Sequence, residues 1–357
     1  MVSDSPAFAD SPAFAVGRIL HGGRPVVALV VAEQVLPLTR SLLGAALPGG
    51  ALPGGAGAGE APLVEINELL QGWDAVLPRL GALAAAPSAA DPWLPLSGVS
   101  VLAPVQPRQI VQAGANYRTH VIDLAVKHAE LRDGRTEQQV RAEAAAMMDL
   151  RARQGSPYLF LGLPTAVAGP YDDVVLPDYS GQHDWELELA AVIGRETFRV
   201  DRERALDHVA GYTIVNDLTT RDLVFRRDMP EIGTDWFRAK NAPGFLPAGP
   251  WLVPAAGVGD PSRLRITLRL NGEVMQDESC KDMIFDVAAL VSAASQTARL
   301  LPGDLVLTGS PAGNGLHHGR LLRAGDVMQG TITGPGVDLG TQRTRCVADG
   351  SAAEVSS

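Results

Sequence analysis

The segment His183-Asp184-Trp185-Glu186-Leu187-Glu188 runs without interruption into Leu189-Ala190-Ala191-Val192-Ile193, and Gly194 ends the apolar run. A stretch that alternates and then turns wholly apolar reads as a strand entering a core. Strand periodicity sets Asp184, Glu186 and Glu188 on one face and Trp185 and Leu187 on the other. Carboxylates crowded at the edge of a core repel one another and stay protonated unless a positive charge compensates them. A hard divalent cation is the usual compensation. The plainer alternative is a solvated strand face with its acids in water, against which Trp185 and the apolar continuation argue. A third ligand decides between the two.

Burying such a strand requires a full core, and 357 residues with 46% hydrophobic and 20% charged composition supply one, as two ordinary domains or one large one. The net charge of −10 argues against nucleic acid and anionic membrane surfaces as partners. No segment has the apolar length of a membrane span. Two cysteines, Cys280 and Cys346, make no disulfide framework, and the N-terminus lacks the pattern of a signal peptide, so the cytoplasm is the expected location.

Residues 1–105 read as a small N-terminal domain. It begins with an arm carrying Ser5-Pro6-Ala7-Phe8-Ala9 and its copy Ser11-Pro12-Ala13-Phe14-Ala15. Hairpins follow over Val16 to Leu38 around Gly22-Gly23, then a flexible Gly/Pro-rich loop from Ala46 to Gly59 and a helix near Ile66 to Leu80. Residues 106–348 read as the catalytic domain, and 349–357 as a disordered tail.

The large domain opens with a buried strand and polar turn, Gln109 to His120. His120 and Asp123 lie three apart at the start of a helix and so face one side. A carboxylate fixes the tautomer of a neighbouring histidine and raises its basicity, as a general base requires; a surface histidine beside a capping Asp is the alternative. Residues 121–156 form a charged helical insertion around Asp133-Gly134, either a solvated hairpin or a lid. Gly211 to Asp217 is an apolar strand that delivers the third carboxylate, Asp217, at its end. Arg221 follows four residues on, suited to an anionic substrate group or to a surface ion pair. Asn271-Gly272 marks a hairpin turn, Asp286 to Leu301 a helix, and Leu305 to Thr308 a strand ending in Gly309-Ser310-Pro311-Ala312-Gly313, a loop able to bind a carboxylate through backbone N–H groups.

From about Gln109 to about Cys346 the chain resembles the fumarylacetoacetate hydrolase superfamily, its acylpyruvase and oxaloacetate decarboxylase branch in particular. The resemblance rests on Gly114-x-Asn116-Tyr117-x-x-His120, Asp184-Trp185-Glu186-x-Glu188, Asn216-Asp217-x-x-x-Arg221-Asp222, Trp236-x-x-x-Lys240, Asn271-Gly272-Glu273 and Pro302-Gly303-Asp304 with Thr308-Gly309-Ser310-Pro311. It implies an α+β fold, a mixed β-roll or sandwich with flanking helices behind a small N-terminal α/β domain, assembled as a homodimer. It places Mg²⁺ or Mn²⁺ on Glu186, Glu188 and Asp217, with Ca²⁺ able to take the same place in a crystal. His120 with Asp123 becomes the acid/base pair, Lys240 stands beside the metal, and Tyr117, Arg221, Thr308 and Ser310 contact a small-molecule substrate.

The implied activity is hydrolysis of a carbon–carbon bond in an acylpyruvate or β-diketone, as in the breakdown of aromatic compounds or diketones. The same enolate chemistry also serves decarboxylation, dehydration and tautomerisation, and a fold that has lost catalysis and only binds is a further alternative. Departures from the family pattern are Asp123 for a usual Glu, Gly162 for a common lysine, Val224 for a frequent glutamine and Pro243 for a frequent Asp. The exchanges at 162 and 224 predict a roomier, less charged pocket that prefers a bulky acyl group over oxaloacetate.

Overall fold

The computed structural model describes residues 13–48, 64–129 and 136–350, leaving aside the side chains of 127–129. The expected arm up to Pro12, the Gly/Pro-rich loop beyond Pro48, the Asp133-Gly134 break and the tail beyond Gly350 lie outside the described residues. Ala15–His21 and Arg24–Val31 pair across Gly22-Gly23, and Gln34–Pro37, Leu94–Pro95 and Ser100–Leu102 complete a five-stranded sheet. The single helix expected near Ile66 to Leu80 is two, Ile66–Gln71 and Trp73–Ala85, meeting at Gly72. A Cβ there would lie 2.9 Å from Pro48 and 3.0 Å from the Ala46 carbonyl oxygen, so glycine lets the joint sit against that loop.

The centre of the molecule is a six-stranded mixed sheet in the order Val253–Pro254, Val209–Asn216, Leu187–Ile193, Leu305–Leu307, Ile110–Gly114, Tyr158–Gly162. All of Leu187–Ile193 is buried because both faces of the sheet are covered. Leu187, Leu189, Ala191 and Ile193 share a core with Ile266, Leu268, Ile332 and Leu339. Ala190 and Val192 join a second core with Val16, Leu29, Leu69 and Leu80 of the N-terminal segment. Glu188 has the parity of Ala190 and Val192, so it projects from the face that the N-terminal segment covers further along the strand.

The strand expected to start at His183 is interrupted. His183–Asp184 pairs with Thr219–Thr220, and the central strand begins only at Leu187. The Trp185 N–H donates to the Asp184 carboxylate (2.8 Å) and the Glu186 N–H to the Asn216 side chain (2.9 Å), so neither joins a ladder.

A second five-stranded sheet runs Glu273–Ser279, Arg265–Leu270, Val327–Gly334, Val337–Ala348, Val174–Leu176. Asn271 (φ 53°) and Gly272 (φ 88°) make its left-handed hairpin turn. The helix Val287–Thr297 begins where Asp286 accepts the Ala289 N–H. The insertion is a helical hairpin, Arg118–Ala129 and Glu137–Gln154, whose ends join the neighbouring strands Ile110–Gly114 and Tyr158–Gly162. Helices and mixed sheets make the chain α+β. Both cysteines are free and buried, and no described helix is long and apolar enough to cross a membrane.

Candidate active site

The antiparallel register Leu187↔Asn216 brings Asp217 alongside Glu186, whose carbonyl accepts the Asp217 N–H at 2.8 Å. Glu186, Glu188 and Asp217 are all buried, and one oxygen from each falls within 4.8 Å of the others. Glu188 is further fixed by the Gly309 N–H (2.8 Å), and Glu186 by the Thr219 hydroxyl (3.1 Å). Gly309 has φ +87°, and a Cβ there would lie 3.0 Å from the Ala113 carbonyl oxygen, so this donor depends on glycine. The N–H that the sequence offered to a substrate carboxylate is occupied by Glu188.

Two cations hold this cluster. Asp235 caps the short helix Trp236–Lys240 through the Arg238 N–H, which sets Lys240 at its buried end. Lys240 Nζ donates to Glu186 Oε2 (2.6 Å), Asp217 Oδ2 (2.6 Å) and the Asp217 carbonyl (2.9 Å). Arg221 donates to Asp184 Oδ2 (2.7 Å) and Glu186 Oε1 (2.6 Å). Asp184 does not join the triad as its strand parity suggested. It turns instead to Arg221 and to the N–H groups of Gly315 and Leu316.

Four buried carboxylates against two cations leave two negative charges unbalanced. Burial alone raises Glu186, but Arg221 and Lys240 outweigh it and hold its carboxyl well below the usual range. Burial and the charge of Asp217 push Glu188 well above its ordinary value. Burial pushes Asp217 up to about 6 even against Lys240. Lys240 is raised because Asp217 and Glu186 overcome its desolvation. A divalent cation with hard oxygen preference matches both the donor set and the missing charge, so the residues present fit Mg²⁺ or Mn²⁺.

His120, on the first turn of Arg118–Ala129, is partly buried and within electrostatic reach of Glu186, Arg221, Asp123 and His317; burial lowers its pKa, with Glu186 opposing. Asp123 hydrogen-bonds Arg141 of the second insertion helix (2.9 Å), and its other oxygen lies 4.0 Å from His317 Nδ1. Tyr117, Thr308 and Ser310 are buried with internal partners: Tyr117 donates to Cys280 Sγ (3.7 Å), Thr308 to the Leu189 carbonyl (3.0 Å), and Ser310 accepts from Gln276 (2.9 Å). Arg221 is spent on Asp184 and Glu186.

Gln112 escaped the sequence reading, because a lone amide in an apolar strand carries no titratable signal. Its Nε2 donates to Asp217 Oδ1 at 2.8 Å, while its buried Oε1 has no partner among the described residues. The same side chain fills the room next to Gly162, where a Cβ would meet Gln112 Nε2 at 3.1 Å. Gly162 therefore opens no pocket: the amide occupies the space that a longer side chain would need. Val224 is buried in the turn after Arg221, with its carbonyl accepting the Asp235 N–H.

Fold and site together describe a class, α+β proteins that gather carboxylates at a strand end as hard-cation enzymes do. The chain belongs to the fumarylacetoacetate hydrolase family: the family's C-terminal domain, fumarylacetoacetate (FAA) hydrolase C-terminal, matches residues 109–347. It is 36% identical over 249 residues to the mitochondrial oxaloacetate tautomerase FAHD2A of Bos taurus, covering 69% of this chain and 70% of the relative. It is 43% identical over 192 residues to the 2,4-didehydro-3-deoxy-L-rhamnonate hydrolase of Sphingomonas sp. (strain SKA58), covering 52% of this chain and 64% of that one. Among solved structures, maleylpyruvate hydrolase from Sphingobium sp. SYK-6 in complex with manganese(II) ion and pyruvate aligns with a TM-score of 0.65 at 26% identity, over 94% of this chain and 99% of that one. The family thus contains hydrolases and tautomerases that share one fold.

Proposed function

We propose that this chain hydrolyses a carbon–carbon bond in a 1,3-dicarbonyl substrate, an acylpyruvate or β-diketone, with Mg²⁺ or Mn²⁺ on Glu186, Glu188 and Asp217. The observation that carries the reading is the buried cluster lacking two positive charges beside a partly buried imidazole. When bound, such an ion supplies Lewis acidity that polarises the carbonyls of a 2-oxo acid and favours its enolate. His120, kept neutral by burial, takes a proton from water, and the hydroxide adds to the distal carbonyl carbon. The bond from that carbon to the central CH₂ breaks, and its electron pair stays on the pyruvate side. His120 returns the proton to the CH₂ carbon, giving the methyl group of pyruvate, while the acyl group leaves as a carboxylic acid that ionises. Asp123, three residues on in the same helix, is held by Arg141 and supports the basicity of His120 through its charge. Lys240 and Arg221 keep Glu186 ionised and in place.

Tautomerisation is the second reading, favoured by the match over 249 residues to proteins named oxaloacetate tautomerases. It uses proton transfer alone, with no attacking water. Acylpyruvates, β-diketones and oxaloacetate incubated with and without Mn²⁺, with mass spectrometry for cleavage products and ultraviolet absorbance of the enol for tautomerisation, separate the two. Metal-dependent cleavage products are expected; keto–enol interconversion of oxaloacetate without cleavage selects the tautomerase, and turnover that survives exhaustive chelation sinks both. The proposal extends to a cytoplasmic homodimer, tested by sedimentation and cell fractionation.

A further inference from the structure

The edge strand Tyr158–Gly162 places an aromatic row beside the carboxylates. Cross-strand partners point to one face of a sheet, and Phe160 pairs with Gln112, the residue bonded to Asp217. Phe160 stacks on Trp236, with ring centroids 4.8 Å apart and an interplanar angle of 18°. Trp236 lies one helical turn before Lys240, whose Nζ is 5.9 Å from the indole centroid. The indole N–H donates to the Tyr158 hydroxyl at 2.8 Å, so three rings run outward from Lys240 as one surface. Gly114 makes room for the outermost ring, since a Cβ there would stand 2.9 Å from Tyr158. Tyr158 is 45% exposed, at the root of the helical insertion.

The cations turned to the carboxylates beside this row are engaged. Lys240 and Arg221 serve the cluster, and Arg226 serves Asp228 and Asp235. Position 162 is glycine, with the neutral Gln112 amide against it. A second carboxylate laid on these rings meets flat apolar surface.

We propose that Tyr158, Phe160 and Trp236 form the subsite for the distal arm of the substrate, and that this arm is flat and uncharged, making the substrate an aryl-substituted 2,4-dioxo acid. The inference rests on the metal-dependent reading above. Direct binding separates the two, because oxamate and N-phenyloxamate share a chelating head and differ only in the aryl arm. With Mn²⁺-loaded full-length protein, titration calorimetry is expected to show N-phenyloxamate binding at least ten-fold more tightly than oxamate. Phe160→Ala and Tyr158→Ala are expected to bring that ratio close to one. Phe160→Leu, which keeps the strand packed, lowers it part of the way, and Leu161→Ala, on the opposite face of the same strand, preserves it. Equal affinities in the wild type, or an aryl advantage that survives both alanine variants, overturns the subsite while leaving the metal site standing. Failure of both compounds to bind removes the underlying reading and the subsite with it.

Discussion

Lys240→Met tests the charge balance directly. The Lys240 ammonium is buried and donates to two carboxylates at 2.6 Å each. Methionine keeps the stem and deletes the charge, leaving Glu186 and Asp217 facing each other beside Glu188. Removing one partner of a buried ion pair costs about 3–5 kcal/mol, and the metal-free variant should lose roughly that much in equilibrium denaturation. The loss should be smaller near pH 5 than near pH 8, because protonation relieves the uncompensated carboxylates. A divalent cation should restore most of it, since the site has lost its internal competitor; each ten-fold gain in affinity adds about 1.4 kcal/mol at a fixed metal excess. Calorimetric titration with Mn²⁺ and denaturation with and without metal supply both quantities, while turnover falls. A metal-free variant as stable as wild type, or one that binds Mn²⁺ more than about ten-fold less tightly, would show that Lys240 does not stand in for missing positive charge.

Three further outcomes are expected. Asp217 is raised to about 6, and Glu188 is raised by burial and by the charge of Asp217. The stability of the metal-free protein should therefore fall as pH rises through about 6, and metal uptake should release protons; Mn²⁺ titrations giving the same heat in buffers of different ionisation enthalpy would contradict this. His120→Ala should lose most turnover yet bind metal, and the wild-type rate should decline only on the acid side, below the ordinary histidine value of 6.5, because burial lowers this imidazole; a rate unchanged by the substitution places the base elsewhere. Gln112→Leu removes the hydrogen bond that orients Asp217 and should weaken Mn²⁺ binding about ten- to a hundred-fold, whereas an unchanged titration would make the amide mere filling.

The triad was legible because it is local: two acids at strand spacing and a third at the end of an apolar strand. What the strand pattern missed was the role of Asp184. Periodicity gives it the parity of Glu186, but the backbone leaves the ladder at Trp185 and Glu186, and only the fold brings Arg221 and the Gly315 N–H to meet it. Gly162 misled for a similar reason. An absent side chain reads as open space, yet a residue fifty positions earlier in sequence, Gln112, lies across it. The hairpin Val327–Gly334 and Val337–Ala348 went unnamed although Gly334-Pro335-Gly336 marks its turn, because polar Thr and Gln residues dilute the alternation.

The order of strands in the central sheet governs when the molecule can come together during synthesis. Leu305–Leu307 lies between Leu187–Ile193 and Ile110–Gly114, so two strands nearly eighty residues apart in sequence cannot share a sheet until the ribosome has passed residue 307. The N-terminal segment emerges first, yet one of its apolar faces rests on Ala190, Val192, Leu305 and Leu307. That face must stay uncovered, and in need of chaperone shelter, while most of the chain is still being translated. A nascent chain stalled before residue 300 should accordingly be trapped by a hydrophobic-surface binder at its N-terminal end, and released once the strand at 305 is out.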